Sequence, residues 1–160
     1  MAQRIDLESL RQRLAQFKAG SRSEWDARAP GEHRPAPAED GQRPAAVLIP
    51  LYEDHGEWHL LLTQRTDTVS THKGQVAFPG GRADPEDADA VATALREAHE
   101  EIGLPPDRVE VLGRLDDLIT VTRYRVTPIV ARIPWPLQLT PSPYELSAVF
   151  GVPVRWLADP

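Results

Sequence analysis

The spacing of apolar positions changes several times along the chain. Behind Asp6, which suits a helix cap, Leu7, Leu10, Leu14 and Phe17 recur every three or four residues. That period predicts a short amphipathic helix, packed on the body of the domain or on a partner subunit. From 20 to 44 the period is lost. Gly20, Pro30, Gly31, Pro35, Pro37, Gly41 and Pro44 are interspersed with charges, and Trp25 is the one large apolar anchor. This composition reads as a linker or extended wrap. Residues 1–44 are therefore set apart as helix and linker, and 45–160 as the folded domain.

Ala45 to Leu51 is a continuous apolar run that reads as a buried strand. His55-Gly56 marks a turn, and Trp58 to Thr63 supplies the hairpin partner. A loop from Thr66 to Lys73 leads to a short apolar piece, Gln75-Val76-Ala77-Phe78, which Pro79-Gly80-Gly81 breaks. The strongest helical pattern runs from Asp89 to Ile102. Asp87 or Asp89 caps its start, Gly103 closes its end, and Pro105-Pro106 forbids continuation. Further strands are predicted at Val109–Gly113, Tyr124–Val130 and Ala148–Phe150, with a helical turn near Arg155–Leu157. Strands on both sides of one long central helix predict an α/β or α+β sandwich.

Bulk properties narrow the function. The 160 residues amount to one domain, and 41% hydrophobic with 26% charged residues is ordinary for a globular protein. No run of about 18 apolar residues is present to span a membrane. The charged opening, Met1 to Asp6, does not read as a secretory signal. The absence of cysteine excludes disulfides, thiolate metal sites and cysteine nucleophiles, and fits a cytoplasmic location. A net charge of −6 argues against nucleic acid as a partner. The same charge requires cations or local basic residues if the substrate is an anion.

The candidate chemistry lies in Leu95-Arg96-Glu97-Ala98-His99-Glu100-Glu101-Ile102-Gly103. Positions three and four apart share a helix face, so Glu97, Glu100 and Glu101 converge while Ala94, Leu95, Ala98 and Ile102 pack elsewhere. Clustered carboxylates repel one another, and a hard cation among them removes that cost; oxygen ligands suit magnesium or manganese. Arg96, one step round, is placed to hold a carboxylate or neutralise phosphate. A solvated acidic face is the competing interpretation. The preceding Phe78-Pro79-Gly80-Gly81 turn favours the metal, because glycine lets the backbone approach a ligand closely.

Gly81 through Leu104 resembles the Nudix box: a glycine, an acidic position, then Arg-Glu, an apolar residue, any residue, Glu-Glu, any residue, Gly and an apolar residue. Arg96, Glu97, Ala98, Glu100, Glu101, Gly103 and Leu104 match the second half. In the first half Asp87 stands where glutamate is usual, and one extra residue separates it from Arg96. The resemblance implies a mixed sheet between helices and a hydrolase that uses Mg2+ or Mn2+ to cut a diphosphate. By matching position, Glu97, Glu100 and Glu101, with the Gly80 carbonyl, would be the metal ligands, and Arg96 would orient a glutamate. The base is left open, with Glu97 or Glu100 ahead of Glu145.

Upstream, Leu61-Leu62-Thr63-Gln64-Arg65 followed by Gly74-Gln75-Val76-Ala77-Phe78-Pro79-Gly80-Gly81 is similar to the motif of the coenzyme A pyrophosphatase branch. Thr66 replaces the usual serine or alanine, and Ser70 the usual arginine. The resemblance implies cleavage of coenzyme A, or a derivative, into 3′,5′-ADP and 4′-phosphopantetheine. Arg65 is the first candidate for a phosphate partner, because its guanidinium holds an oxyanion bidentately; the alternative is a strand cap beside an acidic neighbour. His72 and Lys73 are further cationic candidates. Gln75 and Phe78 either shape the pocket or, for Phe78, join the core. Arg123 and Arg125 face substrate or solvent. Rival readings are a Nudix hydrolase of ADP-ribose, NADH or a dinucleoside polyphosphate, and a non-catalytic Nudix-like binding module. An EF-hand loop fails at Asp89, a P-loop lacks its Gly-Lys-Ser/Thr ending, and a zinc motif lacks a second histidine at Gly103. Chains of this branch run on past the point matching Trp156. An end at Pro160 leaves an apolar sheet face for a partner to cover, which predicts a homodimer.

Overall fold

The computed structural model describes residues 8–12, 41–66 and 74–158. Trp25, Ser70, His72 and Lys73, and most of the predicted N-terminal helix, lie outside the described residues. Among the described residues, one eight-stranded mixed sheet forms the centre. Its main path is β3 (Val76–Ala77), β2 (Glu57–Arg65), β1 (Arg43–Asp54), β7 (Tyr124–Arg132) and β5 (Glu110–Arg114). Three strands pair off this path: β4 (Gly80–Arg82) with β1, β6 (Leu118–Ile119) with β7, and β8 (Leu146–Pro153) with β2. The first hairpin forms as its pattern predicts, Leu51 opposite Leu60 and Asp54 opposite Glu57. β1 also runs parallel to β7 from Arg43↔Tyr124 to Leu51↔Arg132. It is therefore central in the sheet and buried on both faces, Ala46, Leu48 and Tyr52 in one core cluster and Leu51 in the other, which explains its apolar sequence.

The long helix, α1 (Ala90–Ile102), lies on one sheet face. Ala94, Ala98 and Ile102 pack there against Ala46, Leu48, Leu61 and Ile129, all essentially inaccessible. The small Ala94 and Ala98 allow close approach of the helix to the sheet. Of the two possible caps, Asp89 is the one used, accepting from the Ala92 N–H at 2.8 Å. Gly103 ends the helix in the left-handed conformation, φ 67°. A second cluster, Leu51, Trp58, Leu60 and Val130, occupies the other face; Leu10 of the helical segment at 8–12 and Phe78 pack against it. The sheet thus lies between helices, as the α+β reading predicts.

Two local expectations change. Pro79-Gly80-Gly81 does not end strand structure: Gly80–Arg82 is itself a strand, pairing antiparallel with Ala45–Val47. Its two glycines hide it from a hydrophobic pattern. The first strand also begins at Arg43, two residues before the apolar run, because β7 extends past the core to pair with it. A short closing helix, α2, covers Arg155–Ala158. Among the described residues, no helix is long and apolar enough to cross a membrane.

Candidate active site

β4 and α1 face each other. Strand alternation points Gly80 and Gly81 into closely packed positions on opposite sides of β4. A Cβ added at Gly80 would lie 2.4 Å from the Ala46 carbonyl oxygen, so the strand meets β1 without room for a side chain. A Cβ on Gly81 would lie 2.6 Å from Oε1 and 2.7 Å from Oε2 of Glu97. The absent side chain is the space that the Glu97 carboxylate occupies. The Gly80 N–H donates to Glu101 Oε2 at 3.1 Å, tying the ribbon to the next turn of the helix.

The three predicted glutamates do not converge equally. Glu97 and Glu101, one turn apart, face the glycine ribbon, and Glu101 is only 6% exposed. Glu100 has a side chain 58% exposed and is reached by Arg96 from one turn back. Arg96 Nη1 donates to both Glu97 Oε1, at 3.1 Å, and Glu100 Oε2, at 3.2 Å, so the guanidinium bridges them. Its other nitrogens turn away: Nε and Nη2 each donate to Asp87 at 3.0 Å, and Nη2 also reaches the Arg82 carbonyl. Asp87 accepts further bonds from Thr93 Oγ1 and the Asp84 N–H, both 2.9 Å.

Burial pushes the Glu101 carboxyl up to about 7, with Glu97 and Glu145 adding repulsion and the Gly80 N–H and Arg65 opposing. Burial also raises Glu97, against the pull of Arg96. For Asp87 burial works upward, but the bonds from Arg96, Asp84 and Thr93 prevail and hold it below its ordinary value. Arg96 is held protonated beyond its usual range, by Asp87 first.

Two residues from other elements join this group. Arg65, at the end of β2, lies within electrostatic reach of Glu101, and its Nε is buried with no hydrogen-bond partner among the described residues. Glu145 stands exposed beside it, next to Leu146, which pairs with Arg65, its backbone fixed by Thr66 and Ser142. Gln75 is exposed beside the loop to β4, and Phe78 sits in the second core cluster, away from α1. Sequence reasoning missed the task of Asp87, noting it only as a cap or a departure from the box. Its signal would have been Thr93 six residues on and Arg96 nine residues on.

The donor chemistry fits a hard divalent cation: carboxylate oxygens, with a backbone ribbon pressed against them and no sulfur or paired imidazole in the group. Among the described residues, no three such side chains are already drawn together around one point. Arg96 instead neutralises Glu97 and Glu100.

A NUDIX domain model matches residues 41–154. The chain belongs to the Nudix family. It is 48% identical over 123 residues to the uncharacterized Nudix hydrolase NudL of Klebsiella pneumoniae, covering 76% of this chain and 64% of that one. Against NudL of Escherichia coli K12 it is 52% identical over 112 residues, 70% of this chain and 58% of the relative. The chain thus spans about six-tenths of the length of these relatives. Among solved structures, it resembles a Nudix hydrolase from M. smegmatis, RenU, with TM-score 0.62, 24% identity and 73% and 74% of the two chains covered. A C. elegans Ap4A hydrolase binary complex gives 0.60 with 19% identity, over 72% of this chain and 82% of that one. Both likenesses concern the Nudix fold alone.

Proposed function

We propose that this Nudix domain hydrolyses a diphosphate linkage with Mg2+ or Mn2+, and that its substrate is coenzyme A or a close derivative. The observation that carries the reaction class is the packing of Gly80-Gly81 against Glu97 and Glu101, which gathers oxygen donors at one strand–helix junction. Glu97, Glu100 and Glu101 would hold the cation, with the Gly80 carbonyl as a further donor. Bound among these oxygens, a divalent cation supplies neutralisation of the diphosphate and acidification of a water.

The chain's own residues do the rest. Arg96, anchored by Asp87, orients Glu97 and Glu100. Arg65 offers the partnerless Nε edge of its guanidinium to a phosphate oxygen, a better use of a buried donor than leaving it unpaired. A carboxylate takes the proton of the attacking water; Glu97 or Glu100 comes first for this task, then Glu145. One phosphorus–oxygen bond breaks, water supplies the replacing oxygen, and two phosphate monoesters leave. The coenzyme A assignment rests on the Leu61 to Arg65 and Gly74 to Gly81 motif, with His72 and Lys73 as added cations and Gln75 at the rim.

The test is mass-spectrometric product analysis of coenzyme A incubated with the purified protein and magnesium or manganese, beside a Glu100→Gln variant and a chelator control. The expected result is 3′,5′-ADP and 4′-phosphopantetheine from the parent alone. Intact coenzyme A with turnover of ADP-ribose, NADH or a dinucleoside polyphosphate would replace the substrate. Tight binding without turnover of any of these would establish a binding module instead.

A further inference from the structure

Arg11, Arg96, Arg114, Arg132 and Arg155 are each paired with a carboxylate. Arg43, Arg82 and Arg123 are exposed, gather at one end of the sheet, and have no carboxylate within ion-pairing distance among the described residues. In a chain of net charge −6, three unneutralised guanidinium groups in one place form a local field of the opposite sign.

The fold fixes their arrangement. Arg43 in β1 stands opposite Tyr124 in β7, and its guanidinium carbon lies 4.2 Å from the centre of the tyrosine ring. Its Nη2 donates to the Thr122 carbonyl at 3.2 Å, which leaves further N–H groups for a ligand. Arg82 in β4 stands opposite Ala45, so strand alternation puts it on the same sheet face as Arg43. Two positions along and one strand across separate their Cα atoms by about 8 Å. The small Ala45 lies between them. Arg123 precedes β7 in the left-handed region, φ 64°, a rare conformation for a long side chain. Its carbonyl accepts the Arg43 N–H at 2.8 Å, and its Nη1 lies 3.8 Å from where a side chain on Gly41 would begin. The Arg123 side chain thus folds back over the start of β1. Arg125 points to the other face and is tied to Gln42.

This shelf adjoins the reaction centre. Arg82 follows Gly81, which presses on Glu97, and its own carbonyl holds Arg96 at 3.0 Å. Among the described residues β4 pairs with β1 alone; on its outer edge Glu101 takes the Gly80 N–H and Arg96 the Arg82 carbonyl, while the Arg82 side chain leaves by the face opposite Gly81, so the carboxylates and the arginines lie on the two faces of one edge strand.

We propose that Arg43, Arg82 and Arg123 form a second anion site, which takes a phosphate monoester on the ribose of the substrate, separate from the diphosphate that is cut. This rests on the reading of the substrate as coenzyme A, whose 3′-phosphate is such a group. A dianion held by guanidinium groups on a rigid strand pair makes charge-assisted bonds at little ordering cost, since Tyr124 already holds Arg43 in place.

The experiment measures binding of 3′,5′-ADP and of 5′-AMP by calorimetry, with cleavage of coenzyme A and of 3′-dephospho-coenzyme A alongside. The proteins are the parent, Arg43→Gln, Arg123→Gln, and Arg108→Gln as a matched charge change elsewhere. The expected result is that the parent and the Arg108 variant bind 3′,5′-ADP about tenfold or more tighter than 5′-AMP, and that the two site variants lose that preference. In cleavage the difference resides in KM, with kcat for the dephospho substrate unchanged. A parent without preference, or folded site variants that keep it, overturns the proposal. If coenzyme A is cleaved without discrimination, the anion site alone falls. If coenzyme A is not cleaved but the nucleotide preference is present and lost in the variants, the site stands and the reaction assignment falls. Arg123 lies in an exposed turn, so its variant tests the site even where Arg43→Gln fails to fold.

Discussion

Arg96 and Asp87 are joined by two parallel hydrogen bonds, Nε to Oδ1 and Nη2 to Oδ2, both 3.0 Å, across nine residues of chain. The Asp87 side chain is only 7% exposed. The pair closes the loop between β4 and α1 and sets the direction from which Arg96 reaches Glu97 and Glu100.

Replacing Asp87 with asparagine keeps the shape but removes the charge that Arg96 requires. The expected cost is about 2 kcal/mol, read as a lower midpoint in urea unfolding at constant slope. Asp87 is held below its ordinary value in the folded state. Its contribution is therefore complete above the unfolded aspartate range, near pH 4, and is lost as pH falls through the lower folded value. The variant's stability should fall less steeply in that acid window than the parent's. Equal slopes would show that the pair does not couple to protonation.

The two glycines of β4 predict different outcomes. A methyl on Gly80 meets backbone, the Ala46 oxygen at 2.4 Å and Val47 Cα at 2.6 Å, which cannot move aside. Gly80→Ala is expected to destabilise the fold by about 1–3 kcal/mol or more. A methyl on Gly81 meets the far end of the Glu97 side chain. Gly81→Ala should shift stability by less than about 1 kcal/mol yet weaken manganese binding and turnover, because Glu97 is displaced. Thermal melts and metal titration separate the two; similar losses of stability would contradict this assignment.

Glu101 predicts a pH dependence of opposite sign to that of Asp87. Its carboxyl is raised to about 7, so the folded chain keeps a proton that the unfolded chain releases near the ordinary glutamate value. In chelator, the stability from this group should be present at low pH and decline as pH rises from about 4.3 toward 7. Glu101→Gln should abolish that decline. Unfolding midpoints at several pH values in the presence of chelator decide it.

Among the described residues β8 pairs with β2 alone and so lies at a sheet edge, with no charged residue from Leu146 to Pro153, and exposed Tyr144 and Trp156 flank it. Uncharged edges of this length invite pairing. A homodimer is the expected state, giving twice the chain mass by light scattering at micromolar concentration. Trp156→Lys should shift it toward monomer. A parent that is already monomeric there would refute the expectation.

The sequence by itself determined α1, its Asp89 cap or the Asp87 alternative, its Gly103 stop, the first hairpin and the order of the acidic box, because periodicity and glycine or proline signals act over a few residues. It also marked Gly80-Gly81 as a place of close approach. Tertiary structure decided what depends on pairing distant segments. β4 became a strand only because β1 offers it an edge and no side chain intervenes. Glu97, Glu100 and Glu101, equivalent in spacing, separated into two inward groups and one exposed one because the sheet lies on one side of the helix. Asp87 became the anchor of Arg96 because a loop folds back by nine residues. Arg65 was brought to Glu101, and Arg43, Arg82 and Arg123 to one another, by a strand register that no local pattern specifies, since the energy that fixes it is spread over the whole sheet.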